Sequence, residues 1–304
     1  MKKVLINRLP VVGPWGGGNN FVKALYKHSQ SHGFRVVDKF EEDIDLIFMI
    51  DPRYSDQKIS INEIVKYKKF FPETKIVYRV NECDARKGLS NDIDPIINVV
   101  SKYTDLNIFI SAWIKDYHTS KKGWSFSKNK VIYSGTNKEH FRAVDKLQNG
   151  KINLVTHHWS NNFMKGQDIY EKIDNYCKEN NDYTFTYIGR TNYNFKHSTI
   201  IPPTFGKELG DILSKYDVYI SGSRFDPGPN HIIESLACKI PTYAHKDSGG
   251  AIEMVGDDHA YDSFNMLVDK IKKDNIKPNE SNFKIKDWKT CISEYYETIN
   301  KELF

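Results

Sequence analysis

The sequence predicts an α/β protein built as two parallel-sheet domains with a cleft between them. Three observations carry this expectation. The chain has 304 residues, about twice a common domain length of roughly 150. Short apolar runs alternate with amphipathic stretches at the spacing of strand–helix–strand units. After a polar segment at 144–150, ending in Asn149-Gly150, the same rhythm begins again.

The elements follow in order. Residues 4–7 read as a buried strand, 8–19 as a loop rich in Gly and Pro, and about 20–31 as a helix with Phe21, Ala24, Leu25 and His28 on one face. Gly33 ends that stretch. Strands are expected at 45–50, 75–80, 106–111 and 130–134. Helices are expected at 61–71, stopped by Pro72, at 96–103 and from Ala112. In the second half, strands fall at 152–156, 183–188, 218–221 and 241–244, and helices at 168–178, 206–215, 230–238 and 263–273. The last stretch, 284–303, is amphipathic, with Trp288, Ile292, Tyr295, Ile299 and Leu303 in helical register. A helix with such a stripe must bury it against something.

Composition narrows the function classes. Lys+Arg 44 against Asp+Glu 39 gives a net charge of +5, which reads as a mixed-sign solvated surface and argues against a nucleic-acid partner. The small positive excess suits an anionic substrate or a weak peripheral membrane contact. Cys83, Cys177, Cys238 and Cys291 lie far apart with no CxxC pair. That excludes a disulfide scaffold and a zinc ribbon and suits a reducing compartment. The first apolar run stops at Asn7 and Arg8, so no signal peptide is read. No stretch approaches the roughly 20 apolar residues of a membrane span. The expected location is cytoplasmic, at most at the inner membrane surface.

Ligands of open α/β sheets bind beyond the carboxyl ends of strands, so post-strand loops carry the candidates. In the first, Pro14-Trp15-Gly16-Gly17-Gly18-Asn19-Asn20, three glycines before a helix let backbone N–H groups approach an anion. It matches neither a P-loop nor GxGxxG, and an ordinary turn is the alternative. In the second, residues 221–234, seven residues separate Asp226 from Glu234. A loop and one helical turn can bring both carboxylates to one side of a ligand, one for sugar hydroxyls and one for ribose hydroxyls. Gly228 and the amides after it can meet a phosphate. The alternative is a capped surface helix. In the third, residues 79–87, Arg79, Asn81 and Asp84 face the acceptor side, against the alternative of a solvated loop. His157 and His158 are adjacent, a spacing unsuited to a metal pair on one helix; they read as hydrogen-bonding groups near the ligand or as packing for Trp159. Asp43-Ile44-Asp45 and Asp92-Ile93-Asp94 read as element-boundary residues, and no metal is inferred.

The run Asp226-x7-Glu234, followed by Ser235-Leu236-Ala237-Cys238-Lys239-Ile240-Pro241-Thr242, resembles the E-x7-E signature of retaining GT-B glycosyltransferases of the family 4 type. Gly249-Gly250-Ala251-Ile252-Glu253 is similar to that family's Gly-Gly-x-x-Glu turn, and Gly16-Gly17-Gly18 to its glycine loop. Asp226 replaces the first Glu and Lys239 the usual Gly. Lys165-Gly166 is kept, but Ser160 stands where an Arg is usual, with Arg190 or Arg224 as substitutes.

The resemblance implies a GT-B fold of two Rossmann-like domains, with the terminal helix crossing back to the first. The domains would then be 1–145 plus 284–304 for the acceptor and 150–283 for the donor. It implies a hexosyl- or related transferase that moves a sugar from a nucleotide diphosphate sugar, such as a UDP- or GDP-sugar, to a sugar, glycan or lipid-linked acceptor hydroxyl, with retention. It implies no cofactor and no metal. Asp226, Glu234 and Lys165 would carry the catalytic roles. Gly17, Gly18, Asn19, His158, Ser160, Lys165, Arg224, Gly228, Asn230, His231, Glu234, Gly249 and Gly250 would hold the nucleotide sugar. Arg79, Asn81 and Asp84 would meet the acceptor or sugar. A nucleotide-sugar-binding module without turnover, an epimerase and a phosphorylase remain as alternatives.

Overall fold

The structure, a computed structural model, describes residues 1–13, 15–53 and 59–304. It divides into two units. The first holds Met1–Ala85, Leu89–Gly135 and Trp288–Phe304, and the second Arg86–Gly88 and Thr136–Asp287.

The first unit runs β1 (Lys2–Ile6), α1 (Gly16–His28), β2 (Phe34–Val37), β3 (Leu46–Met49), α2 (Ile61–Phe70), β4 (Lys75–Val80), α3 (Asp94–Val100), β5 (Leu106–Phe109), α4 (Ala112–Asp116) and β6 (Asn129–Val131). Its parallel sheet has the order β2-β1-β3-β4-β5-β6. Successive strand side chains point to opposite faces, so β1 feeds two cores. Val4 and Ile6 join Phe21, Leu25 and Phe48 on one face, while Leu5 joins Ile47, Ile64 and Ile97 on the other. Helix α2 starts where Ser60 and Glu63 form a reciprocal capping box.

The second unit runs β7 (Ile152–His158), α5 (Gln167–Glu179), β8 (Tyr183–Gly189), β9 (Thr199–Ile201), α6 (Gly206–Leu213), β10 (Val218–Ser221), α7 (Asn230–Ala237), β11 (Thr242–His245), α8 (Ile252–Val255), β12 (Ala260–Tyr261) and α9 (Phe264–Ile271). Its sheet is also parallel, in the order β12-β11-β10-β7-β8-β9. Leu154, Phe185, Tyr187, Val218 and Ile220 pack against Ile169, Tyr170 and Ile173 of α5.

Helix α10 (Trp288–Leu303) lies in the first unit. Cys291, Ile292, Tyr295, Tyr296 and Ile299 are buried with Phe21, Phe34 and Phe48. Phe34 stacks on Tyr296 at 4.7 Å between centroids, and the Tyr296 hydroxyl bonds Ser29 Oγ at 2.6 Å.

The unit boundaries differ from the expected 1–145, 284–304 and 150–283. Residues 136–145 and 284–287 group with the second unit. Thr136 N–H donates to the Lys286 carbonyl, Lys146 Nζ to the Ser214 and Tyr216 carbonyls just past α6, and Leu147 N–H to Lys215. The polar segment at 144–150 is thus fastened to the turn that follows α6. Helix α1 starts at Gly16, four residues before the expected start, and strands β2, β9 and β12 were not anticipated. Among the described residues no helix is long and apolar enough to cross a membrane.

Candidate functional site

In the second sheet the chain passes from β7 to β8 and β9 on one side, then returns to place β10, β11 and β12 on the other. The order reverses between β7 and β10, and such a reversal opens a crevice beyond the strand ends. His157 and His158 end β7. Ser221 ends β10, and residues 222–229 lead into α7.

Two of the predicted residues meet here directly. Lys165 Nζ lies 2.5 Å from Asp226 Oδ2, with both side chains about nine-tenths buried. The turn Phe163–Lys165 reaches Asp226 because Gly166 has φ +92° and lies backbone to backbone on Gly222; a Cβ on Gly166 would sit 2.3 Å from the Gly222 carbonyl carbon. Asp226 is fixed from behind by the Gly249-Gly250 turn. Its N–H donates to the Ser248 carbonyl, and its carbonyl accepts from Gly250 N–H. Gly249 has φ +78°, and a Cβ there would come within 2.6 Å of the Asp226 carbonyl oxygen. So Gly249 and Gly250 act on the backbone of Asp226. Burial would by itself lift the Asp226 carboxyl, but Lys165 reverses this and holds it well below the usual carboxylate range.

Glu234 lies in α7 with its side chain turned to β7. Its Oε2 accepts from His157 Nε2 at 2.9 Å. His157 Nδ1 is buried and has no hydrogen-bond partner among the described residues. His158, the next strand residue, reaches instead toward α5. Its Nε2 bonds the Tyr170 hydroxyl at 2.7 Å, and that hydroxyl also accepts from Gly222 N–H. His231 Nε2 bonds Ser221 Oγ at 3.0 Å, and its ring stands edge-on to His158 with 4.9 Å between centroids. Burial pushes His158 and His231 well below the ordinary histidine range, and the nearby Lys165 ammonium adds to this. Both rings are therefore neutral at pH 7. The Lys165 ammonium, the Asp226 and Glu234 carboxylates and the N-terminus of α7, which no side chain caps, converge at the sheet reversal. Such a set can meet a ligand that has both anionic groups and hydroxyls.

The remaining predicted residues have varied placements. Arg224 is engaged twice by Asp168, at 2.8 and 2.7 Å, so its guanidinium braces the 222–229 loop on α5. Ser160 Oγ accepts from Asn162 N–H at 3.3 Å within its turn. Gly228 and Asn230 flank the start of α7, with Gly228 N–H directed at Asp226 Oδ1 at 3.4 Å.

In the first unit, Gly16, Gly17 and Gly18 form the first turn of α1 and not a loop, and Pro14 lies outside the described residues. Asn19 is buried, and its amide both donates to and accepts from the Val11 backbone, fastening residues 8–13 to the helix. Arg79 is buried 4.2 Å over the Phe21 ring and donates to Ser134 Oγ. Oriented to satisfy its neighbours, the Asn81 amide donates to the Arg79 and Ile50 carbonyls. Asp84 accepts from Asp92, Ile93 and Asp94 N–H groups at the start of α3. Asn81 and Asp84, expected on the acceptor side, close strand and helix ends.

Sequence reasoning missed His157 as the partner of Glu234, Tyr170 as the partner of His158, and Asp168 as the partner of Arg224. The available signal was the His-His pair ending a strand, since alternation sends the two rings to different helices.

No protein-family model matches the sequence, and no curated protein sequence does. Solved structures do match. Anabaena HepE, in complex with UDP and glucose, aligns over 99% of this chain and 100% of its own, with a TM-score of 0.72 and 15% identity. Sucrose-phosphate synthase from Thermosynechococcus elongatus aligns over 100% and 95%, with a TM-score of 0.65 and 14% identity. A glycosyltransferase from Rickettsia africae aligns over 99% and 93%, with a TM-score of 0.61 and 13% identity. The fold is GT-B. Its second sheet reverses at β7 and β10, where Lys165, Asp226 and Glu234 converge.

Proposed function

We propose that the protein is a glycosyltransferase that moves a sugar, hexosyl or related, from a nucleotide diphosphate sugar to an acceptor hydroxyl, with retention. The observation that carries this reading is the convergence of Lys165, Asp226 and Glu234 at the reversal of the second sheet. Complexes of HepE with UDP and with UDP-glucose support a donor of that class. Glu234 accepts from ribose hydroxyls. Lys165 and the first amides of α7 face the diphosphate, where negative charge grows as the leaving group departs. Asp226 accepts from hydroxyls of the sugar. The resemblance of residues 226–253 to retaining enzymes supports transfer on one face, without a protein nucleophile. The acceptor is a sugar, glycan or lipid-linked hydroxyl.

Lys165 is already paired with Asp226, so a diphosphate arriving at Lys165 frees the Asp226 carboxylate for the sugar. This couples donor binding to the availability of the acid. A lysine and a helix terminus supply the positive charge that a cation supplies elsewhere, so transfer is expected to survive EDTA. Full loss on chelation, restored by magnesium or manganese, would contradict this.

Thermal shifts with UDP, GDP, ADP and their sugars test the reading. A ligand at 100 times its dissociation constant adds about 2.7 kcal/mol. Glu234→Ala is expected to weaken nucleotide binding by roughly 1.5–3 kcal/mol, the worth of a charge-assisted hydrogen bond. A wild-type protein that binds none of these nucleotides overturns the proposal. One that binds them but neither transfers nor hydrolyses a donor is a binding module.

A further inference from the structure

Resting on the donor reading above, we infer that His157 is a positioning residue for Glu234, fixing which carboxylate oxygen is presented to the vicinal hydroxyls of the ligand. The ring does little else. His157 ends β7, and its backbone is held on both sides by the Tyr219 hydroxyl, which accepts from its N–H at 3.2 Å and donates to its carbonyl at 3.4 Å. The ring then stands between Tyr219, at 5.5 Å between centroids, and His231, at 6.1 Å. Among the described residues its one side-chain hydrogen bond runs from Nε2 to Glu234 Oε2 at 2.9 Å, and Nδ1 is buried without a partner.

A buried polar atom left without a partner costs about 1–3 kcal/mol. Here one nitrogen goes unpaired while the other holds the carboxylate. A carboxylate is acceptor-only, so Nε2 carries the hydrogen in this bond. The glutamate side chain has three free torsions. Pinning Oε2 to a ring that is itself locked in the strand removes most of that freedom and leaves Oε1 aimed in one direction. Preorganisation of this kind improves selectivity for the group being read, here a vicinal diol such as the ribose 2′- and 3′-hydroxyls.

The test compares UDP with 2′,3′-dideoxyuridine diphosphate, and the corresponding guanosine pair, by calorimetry on the full chain. Wild type is expected to prefer the ribose form by tenfold or more. His157→Phe is expected to reduce that preference about tenfold while changing the dideoxy affinity little. His157→Gln places an amide Nε2 near the lost ring nitrogen and is expected to restore most of the preference, which a purely structural role would not produce. In a Glu234→Ala background, His157→Phe is expected to change the preference no further. A His157→Phe protein that folds and keeps the full wild-type preference overturns the positioning role. Equal weakening of ribose and dideoxy forms by both variants overturns it as well, marking His157 as structural. If wild type binds none of the four nucleotides, the donor reading itself fails, and this inference with it.

Discussion

The first sheet reverses between β1 and β3 and the second between β7 and β10, yet the two reversals are filled differently. At the first, Asn7 is buried, and its amide donates to the Asp51 and Ile59 carbonyls and accepts from Ile50 N–H. An uncharged side chain stitches backbone to backbone. At the second, Lys165 pairs with Asp226 and His157 with Glu234, so side chains hold side chains. Topology makes a crevice in both sheets, and the residue types decide whether an amide tied to backbone or paired ionisable side chains fill it.

The largest effect expected from breaking this contrast is at Lys165. Lys165→Ala leaves the Asp226 carboxylate buried without its cation, and losing one partner of a buried pair costs about 3–5 kcal/mol. Urea denaturation of Lys165→Ala, Asp226→Asn and the double variant measures it. Additive losses would mean the pair is not coupled. Asn7→Ala comes next, at about 1–3 kcal/mol, because the Ile50 N–H loses its acceptor. Nucleotide affinity is expected to stay unchanged in that variant. A weakened nucleotide would show that the first reversal also takes part in donor binding.

Per residue, the smallest effect is in the pH dependence. His158, His231 and His245 of the second unit, and His118 of the first, are all held below the ordinary histidine range, chiefly by burial. Their folded-state values lie below the unfolded one, so the unfolded chain takes up protons that the folded one refuses. Stability is therefore intact above about pH 6.5 and falls as pH drops below it, by up to about 1.4 kcal/mol per pH unit for each such histidine. Denaturation midpoints between pH 7.5 and 5.5 read the slope. His158→Gln is expected to flatten it by one histidine's share, and an unchanged slope would remove His158 from the account.

Legibility in the sequence followed locality. The strands at 75–80 and 218–221 matched their observed bounds because each is an apolar run cut off by clear breakers. Strand β2 was missed because Phe34-Arg35-Val36-Val37 is a short edge segment with exposed Arg35, and β9 and β12 are shorter still. The start of α1 was misplaced because glycine is a poor helix former; the buried Phe21, Val22, Ala24 and Leu25 outweigh that weakness. At the site, Asp226 and Glu234 could be read together since one loop and one helical turn join them. The partner of Glu234 could not, because His157 lies 77 positions away and only the β7–β10 pairing brings it near. Asp84 looked like a ligand group in a charged loop, and nothing local showed that the start of α3 would claim it.

Helix α10 has a consequence for synthesis. The first unit's sheet is complete at β6, but the residues that cover the face bearing Phe21, Phe34 and Phe48 arrive only with Trp288–Leu303. The ribosome must first make the whole second unit, which takes roughly 8–30 s at typical rates of 5–20 residues per second. During that interval the nascent chain carries an uncovered aromatic surface. A slower ribosome lengthens the time in which a chaperone, or another nascent chain, can occupy the place that α10 later takes.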